Sequence, residues 1–280
     1  MNELTWIITG ATRGFGRSMA EDALSRGDSV VAAVRRPEAM ADLTGKYPDQ
    51  LEVVRFDATS VDGVAAVVSA ATDRFGRIDV LVNNAGRGYV GAAEEVTEAE
   101  LRESMELHLF VPVALTQAVL PIMRRQGGGT IVQMSSQGGR RSFPGVGAYT
   151  CAKFALEGWS EALAGEVAPF GVRVMIVEPS RFRTAFNEAG VLAFAEVSEV
   201  YRDVLAEVRA RMATADGVQE GDPDAAATVI ADLVHSDAVP LRLPLGAEAV
   251  EQIGTSYRTN LALLEQWAEV ARGTDFAPTT

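Results

Sequence analysis

The sequence predicts an α/β protein built on a doubly wound parallel sheet, with helices on both faces. Short runs of β-branched and apolar residues alternate with longer helical patterns through the first 180 residues. These short runs alternate little with polar residues, which is typical of strands that are covered on both faces. Crossovers between parallel strands are right-handed, so a doubly wound sheet is the natural architecture.

Six strands are predicted before residue 180, and four helices between them. The strands are Leu4–Ile8, Ser29–Val34, Leu51–Phe56, Ile78–Val82, Thr130–Met134 and Val172–Val177. The helices are Arg17–Arg26, Val61–Phe75, Glu98–Gln126 and Ala148–Ala168. Gly27 ends the first helix, since glycine tolerates the left-handed C′ position. We expect Pro112 to break the long third helix, because proline lacks an N–H donor.

The pattern changes after Pro179. Residues 184–221 read as helical and polar with no strand, and we interpret residues 185–220 as a substrate lid. A helix at Asp224–His235, a short strand at Leu241–Leu245 and a C-terminal helix near 247–271 follow. No linker or repeat divides the chain, so residues 1–280 are interpreted as one domain.

Composition excludes several classes of protein. The chain carries 38 acidic and 25 basic residues, a net charge of −13, and 48% hydrophobic residues. Such an acidic chain repels phosphate backbones and anionic lipid, so we expect neither a nucleic-acid nor a membrane partner. One Cys forms no internal disulfide, and no uninterrupted apolar run reaches the ~18 residues of a spanning helix, so a cytoplasmic location is expected. Two His and one Cys offer no zinc-like cluster, and no metal is expected.

A glycine-rich turn joins the first strand to the first helix. It reads Thr9-Gly10-Ala11-Thr12-Arg13-Gly14-Phe15-Gly16. Such glycines let the backbone approach a pyrophosphate, whose charge is stabilised by the helix N-terminus. We therefore expect Gly10, Arg13, Gly14, Phe15 and Gly16 to bind a dinucleotide. The alternative is a strand-to-helix turn that binds no ligand.

The second strand ends in Val34-Arg35-Arg36, without a carboxylate. An acidic residue at this position would bind the ribose hydroxyls of NAD, whereas Arg suits the 2′-phosphate of NADP. Arg13 and Arg35 therefore favour NADP(H). The alternative is that Arg35 and Arg36 are solvated charges on the protein surface. Asp57 and Asn84 follow the third and fourth strands, where open α/β sheets bind ligands, although Asn83-Asn84-Ala85-Gly86 also suits a simple turn.

A candidate catalytic group follows further along the chain. Tyr149 and Lys153 are four residues apart on a predicted helix, so they share one face, and Ser136 follows the fifth strand. A neighbouring ammonium is expected to lower the pKa of the Tyr149 phenol and make it a useful proton donor and acceptor. Ser136 is expected to hydrogen-bond the substrate oxygen. The alternative for Tyr149 and Lys153 is a pair on a solvated helix face.

Taken together, these motifs resemble the short-chain dehydrogenase/reductase family over about residues 4–184. They comprise the glycine turn, Asp57, Asn83-Asn84-Ala85-Gly86, Ser136, Tyr149-x-x-x-Lys153 and Glu178-Pro179. The resemblance implies a Rossmann-type, seven-stranded parallel sheet in the order 3-2-1-4-5-6-7. It also implies that Tyr149 is the acid/base, that Lys153 binds the nicotinamide ribose and that Ser136 orients the substrate carbonyl. Asp57 would lie near adenine and Asn84 near the cofactor.

Two positions depart from this family pattern. His108 stands where the family usually has an Asn that holds a water in a proton relay from the lysine. His108 either relays protons, since its pKa lies near working pH, or fills the space of the Asn. Pro179-Ser180 replaces the usual Pro-Gly.

The function favoured by the sequence is an NADP(H)-dependent oxidoreductase that moves hydride between nicotinamide and a ketone or secondary alcohol. Alternatives are a cofactor-binding regulatory protein with little turnover, and a non-redox dehydratase or epimerase. Apolar lid residues favour a lipophilic or aromatic substrate, unless they only pack the lid onto the sheet. These residues are Phe186, Val191, Leu192, Phe194, Val197, Tyr201 and Leu205. The family resemblance suggests a homodimer or homotetramer.

Overall fold

Strands and helices alternate along most of the chain. The computed structural model describes residues 3–188 and 191–276, so residues 189 and 190 of the expected lid lie outside the described ranges. The strands are β1 (Thr5–Thr9), β2 (Ser29–Val34), β3 (Leu51–Arg55), β4 (Val80–Asn83), β5 (Tyr89–Val90), β6 (Gly129–Met134), β7 (Val172–Pro179), β8 (Ala193–Phe194) and β9 (Arg242–Leu245).

The helices begin and end at residues suited to those positions. They are α1 (Gly14–Ser25), α2 (Ala41–Lys46), α3 (Val64–Phe75), α4 (Glu98–Met105), α5 (Val111–Gln126), α6 (Gly147–Val167), α7 (Ala206–Ala213), α8 (Pro223–Val234) and α9 (Ala247–Arg272). At the start of α4, Thr97 and Glu100 form a capping box. Asp222 caps α8, and Gly127 ends α5 with φ +81°.

The main sheet has seven strands, all of them parallel, in the order β3-β2-β1-β4-β6-β7-β9. Counted within this sheet alone, the order is 3-2-1-4-5-6-7, which confirms the predicted fold class. The numbers differ along the whole chain because β5 and β8 form a separate parallel pair that the sequence did not predict. Because all seven strands run the same way, their carboxyl ends meet at one edge of the sheet.

Apolar side chains cover both faces of this sheet. Trp6 and Ile8 of β1 pack under α1, α2 and α8, while Ile7 between them packs under α3, α5 and α6. All three are fully buried. This alternation is the two-residue period of a strand, applied to a sheet with helices on both sides. The sheet is therefore a rigid floor for the groups at its carboxyl edge.

Pro112 does not break the long helix, so that expectation was wrong. The chain stays helical from Glu98 to Gln126, with a π-helical turn at Glu106–Phe110. In that turn the N–H of Val111 bonds to the carbonyl of Glu106, five residues back. The wider turn accommodates a proline that has no N–H of its own. Among the described residues this is the one helix long and apolar enough to cross a membrane, but its apolar residues Leu115, Val119 and Met123 lie buried in the core.

The segment after residue 184 is mostly not helical, contrary to the sequence prediction. Among the described residues between Thr184 and Gly221, only α7 and a short 3₁₀ turn at Ala185–Asn187 are helical, and β8 runs beside β5. The N–H of Ala193 bonds to the carbonyl of Gly88 at 3.0 Å, and that of Ala195 to Val90 at 2.9 Å. Tertiary contacts thus override the helical pattern.

Candidate active site

One cleft of about 760 Å³ lies at the carboxyl edge of the sheet. It is lined by most of the residues that the sequence singled out: Gly10, Arg13, Gly14, Phe15, Arg35, Asp57, Asn84, His108, Ser136, Tyr149 and Lys153. Gly16 does not line it and lies behind the turn, against Gly10 and Asn84. The glycine turn and the Ser–Tyr–Lys group therefore share one continuous space.

The glycine turn is packed too tightly for side chains. A Cβ on Gly14, whose φ is +53°, would lie 2.9 Å from the Cβ of Thr184. A Cβ on Gly16 would lie 2.5 Å from both the Asn84 Nδ2 and the Gly10 carbonyl oxygen. Asn84 braces the turn, because its Nδ2 donates to the Thr9 carbonyl at 2.9 Å. The backbone is thus left bare beside the start of α1, as anion binding requires.

Arginines gather at one end of the cleft, beyond the ends of β2 and β3. A side pocket there is lined by Arg13, Arg35, Arg36 and Arg55. The sequence analysis missed Arg55, although it ends the strand next to β2 and pairs in register with Val34. Asp57 lies at the same place, and the N–H of Thr59 bonds to its carboxylate and lowers its pKa. This end of the cleft is strongly cationic.

Three candidate catalytic side chains converge further along the cleft. Tyr149 and Lys153 lie one turn apart on α6, and the Lys153 Nζ is 5.8 Å from the centre of the Tyr149 ring. Lys153 also donates to the carbonyl oxygen of Met134 at 2.7 Å, which fixes its ammonium. The Ser136 Oγ accepts the N–H of Gly138 at 3.0 Å and lies close enough to Tyr149 to lower the pKa of its phenol in part.

The expected lowering of the Tyr149 pKa was wrong for this structure. Burial raises the pKa of Tyr149 to about 12, and the hydrogen bond with Ser136 opposes this only in part. Burial also lowers the pKa of Lys153 to about 7, against the opposing charge of Glu157. Desolvation therefore outweighs the attraction between the two groups, and the phenol stays protonated across the physiological range.

His108 lies in the π-helical turn and is buried beside Tyr149. Its Nε2 bonds to the carbonyl oxygen of Arg87 at 3.0 Å, and its ring meets that of Tyr149 edge-on, 5.3 Å between centres. Burial, together with the charge of Lys153, holds the pKa of His108 well below its usual value. The imidazole is therefore neutral. With Nε2 donating, Nδ1 is a buried acceptor with no partner among residues 3–188 and 191–276.

A buried charge network, which the sequence analysis did not foresee, lies behind the catalytic group. Arg242 of β9 donates through Nη1 to Glu157 and to Glu178, at 2.6 Å each. Glu157 follows Lys153 by one helical turn, and its other oxygen accepts the hydroxyl of Ser135 at 2.5 Å. The two carboxylate side chains are 1% and 2% exposed. The network therefore ties β6, α6, β7 and β9 together.

Comparison with known protein families identifies the family to which the chain belongs. A family model described as short chain dehydrogenase matches residues 5–191, more than half of the chain. The chain belongs to the short-chain dehydrogenase family. It is therefore an oxidoreductase by family, as the motifs indicated.

Relatives of this short-chain dehydrogenase extend over nearly its whole length. The oxidoreductase BOA17 of Botryotinia fuckeliana is 36% identical over 267 residues, covering 95% of this chain and 97% of its own. A short-chain dehydrogenase from Streptomyces avermitilis is 45% identical in its solved structure, with a TM-score of 0.92, and the match covers 98% of this chain and all of that one. A 3-ketoacyl-(acyl-carrier-protein) reductase from Brucella melitensis, solved with NADH, is 26% identical with a TM-score of 0.72, over 86% and 96% of the two chains.

Few of the expected apolar lid residues of this short-chain dehydrogenase face the cleft. Phe186 and Val191 line it, and the Phe186 ring lies 5.8 Å from that of Tyr149. Leu192 and Leu205 are buried and lie against Gly88 and Gly145. Phe194 and Val197 are exposed, and Tyr201 bonds to Glu94. Packing of the lid thus accounts for at least two of the seven, Leu192 and Leu205.

Proposed function

We propose that the protein is an NADP(H)-dependent oxidoreductase that transfers hydride between nicotinamide and a ketone or secondary alcohol. One observation carries this proposal above all. Ser136, Tyr149 and Lys153 meet in the same cleft as the bare glycine turn, so a dinucleotide on that turn would extend toward them. The family to which the chain belongs supports the redox reading over a regulatory or non-redox role.

The residues present fit a dinucleotide. The packing around Gly10, Gly14 and Gly16 leaves no room for a Cβ, so the turn keeps a bare backbone, and the start of α1 offers N–H groups to a pyrophosphate. Bound nicotinamide supplies or accepts the hydride. Lys153 and Tyr149 line the same cleft and would hold its ribose.

The arginines at the far end of the cleft favour NADP(H) over NAD(H). Arg13, Arg35, Arg36 and Arg55 surround one side pocket, and guanidinium groups match phosphate oxygens in a bidentate fork. A ribose with free hydroxyls needs no such charge. Arg13 also pairs with Glu188 at 3.2 Å, which places it over the pocket from the lid side. A fold neighbour was solved with NADH, so the preference rests on these side chains and not on the fold.

The catalytic roles follow from the protonation states. The pKa of about 12 keeps Tyr149 protonated, so it donates its proton to the carbonyl oxygen as that oxygen gains charge. Ser136 donates a hydrogen bond to the same oxygen. Lys153, when charged, stabilises the phenolate that remains. Because its pKa is about 7, this support is strongest below neutral pH.

We also propose that His108 relays protons toward Lys153. Its neutral ring has one nitrogen engaged with the Arg87 carbonyl and the other without a described partner, and such a nitrogen can accept from a water. The change His108→Gln should slow turnover and shift the pH profile. Wild-type turnover together with an unchanged pH profile would show that His108 only fills space.

The substrate proposed is lipophilic or aromatic. Tyr89, Phe143 and Phe186 line the same cleft as Tyr149 and give its wall apolar surface for such a substrate. A cytoplasmic location and a homodimer or homotetramer also belong to this proposal. Light scattering on purified protein tests the oligomeric state, and fractionation of cells tests the location.

The test of function follows absorbance at 340 nm while the protein meets NADPH and a panel of aryl and alkyl ketones. We expect NADPH oxidation that NADH supports poorly and that Tyr149→Phe abolishes. The double change Arg13→Ala and Arg35→Ala should raise the KM for NADPH. An unchanged KM would end the NADP argument. Silence across the panel, with NADPH still bound, would favour the regulatory alternative.

A further inference from the structure

Two arginines lie beside a single aromatic ring in the cleft. The guanidinium carbons of Arg141 and Arg211 lie 5.8 and 5.6 Å from the centre of the Phe143 ring. All three residues line the cleft, and none of them lines the arginine side pocket near β2. We call Arg141, Phe143 and Arg211 the distal arginine pair and its ring. It is a second cationic centre in a protein of net charge −13.

The chain holds this second centre next to the catalytic group. Arg141 and Phe143 lie on the loop that joins Ser136 to α6, and the Ser142 hydroxyl is 2.8 Å from that of Thr150, the residue after Tyr149. Arg211 lies near the end of α7. The next residue, Met212, accepts the Asn187 side chain at 3.0 Å. Hydrogen bonds of the adjacent residues therefore anchor the backbone at both arginines.

The distal arginines also differ from their neighbours in their counter-charges. Arg87 pairs with Glu103 at 2.6 Å, and Arg181 pairs with Glu220 and Glu248 at 2.9 Å. Arg141 and Arg211 form no ion pair with any described carboxylate, although the protein has an excess of acidic residues. Two guanidinium groups beside one ring, without a counter-charge, make this part of the cleft positive. An oxyanion bound there would supply the missing counter-charge.

We propose that the substrate is an anionic ketone, in which an apolar or aromatic body carries a carboxylate or other oxyanion at its far end. The ketone lies at Ser136 and Tyr149, the body lies against Phe143 and Phe186, and the oxyanion is bound by Arg141 and Arg211. Two guanidinium groups bind such an oxyanion through charge-assisted hydrogen bonds. This inference rests on the proposed function and narrows its substrate class.

The test compares matched ketones. The carboxylates are 4-acetylbenzoate and its homologues with two and four methylenes before the carboxylate. Each is assayed beside its methyl ester, and 4-acetylphenyl phosphate is assayed as the corresponding phosphate. At the best length we expect kcat/KM for the acid to exceed that for the ester by about a hundredfold. Arg141→Met and Arg211→Met should each reduce this ratio about tenfold without changing the KM for NADPH. Added salt should also reduce it.

The control is Arg202→Met, which removes an exposed cation from the same lid segment but outside the cleft, and it should leave the ratio unchanged. A preference for the phosphate over every carboxylate would identify the oxyanion as a phosphate. Equal kcat/KM for acids and esters at all lengths would overturn the inference and leave the reductase function standing. If no ketone is reduced, the proposed function fails. The anionic site is then tested separately by titration calorimetry with analogues that carry an ethyl group in place of the acetyl group. Acids that bind no tighter than their methyl esters would overturn the anionic site.

Discussion

Removal of Arg242 should destabilise the protein far more than its place on an edge strand suggests. Its Nη1 lies 2.6 Å from both Glu157 and Glu178, whose side chains are 1% and 2% exposed. The change Arg242→Met leaves two buried carboxylates with Arg140, 3.5 Å from Glu157, and the more distant Lys153 as the cations beside them. Breaking a buried ion pair in this way costs about 3–5 kcal/mol, and we expect that loss here. In a chain of this size it would lower Tm by about 10 °C.

The effect should depend on pH in a known direction. Burial and the charge of Glu157 raise the pKa of Glu178 to about 6, above the ~4.3 of an unfolded glutamate. The stability that Glu178 contributes through this raised pKa is therefore fully present below about pH 4.3 and is lost as the pH rises through 6. Without Arg242 the pKa of Glu178 rises further, so the destabilisation should be larger at pH 8 than at pH 5.

The assay is urea unfolding followed by circular dichroism at pH 5 and pH 8. Glu161→Gln is the matched control, because Glu161 also pairs with Arg242, at 3.1 Å, but is 53% exposed. That variant should lose less than about 0.5 kcal/mol. The double change Glu157→Gln with Arg242→Met should recover part of the loss. A loss below about 1 kcal/mol for Arg242→Met at pH 8, or equal losses at both pH values, would refute the reasoning.

Three further predictions follow from the site and the lid. Gly16→Ala places a methyl group 2.5 Å from the Asn84 amide, so the Kd for NADPH, read by fluorescence titration, should rise at least tenfold, and an unchanged Kd would contradict the cradle. Because Lys153 has a pKa of about 7, kcat/KM for ketone reduction should fall above pH 7, and a profile flat to pH 9 would contradict its role. Burial opposes ionisation of Glu95, but bonds from Ala92, Ser198 and Arg209 lower its pKa to about 2. The bonds from Ser198 and Arg209 form a tie between the lid segment and Glu95. This tie is present above about pH 4.3 and lost as the pH falls toward 2, and Glu95→Gln should increase proteolysis of residues 196–222 at pH 7. Protection equal to that of the wild type would show that the tie does not hold the lid.

Local patterns in the sequence predict much of the fold and the centre of the site. The apolar strands, the glycine turn and the four-residue spacing of Tyr149 and Lys153 are each set by neighbours along the chain. The same holds for Ser136, which directly follows a strand end. Such features need no knowledge of distant contacts. The right-handed crossovers predicted the doubly wound architecture, and the strand order came from the family resemblance.

Features that depend on distant contacts were missed or misjudged. Arg242 meets Glu157 across 85 positions of sequence, and no pattern around either residue marks the pair. The phenol of Tyr149 was expected to be acidified by its neighbour, but burial dominates, and burial is fixed only once the lid and sheet pack. The lid itself reads as helical because its apolar spacing suits a helix, whereas pairing with β5 makes Ala193–Phe194 extended.

The buried network also has a consequence for how the chain matures. Glu157 and Glu178 emerge from synthesis long before Arg242, which belongs to the last strand of the sheet. Until β9 docks, burial of the two carboxylates carries the penalty expected for loss of Arg242, so the packing of α6 and of the end of β7 is disfavoured. The glycine turn, by contrast, is complete early. A nascent or truncated chain that lacks β9 should therefore form its nucleotide cradle without a working catalytic group, and activity should appear only when the sheet is complete.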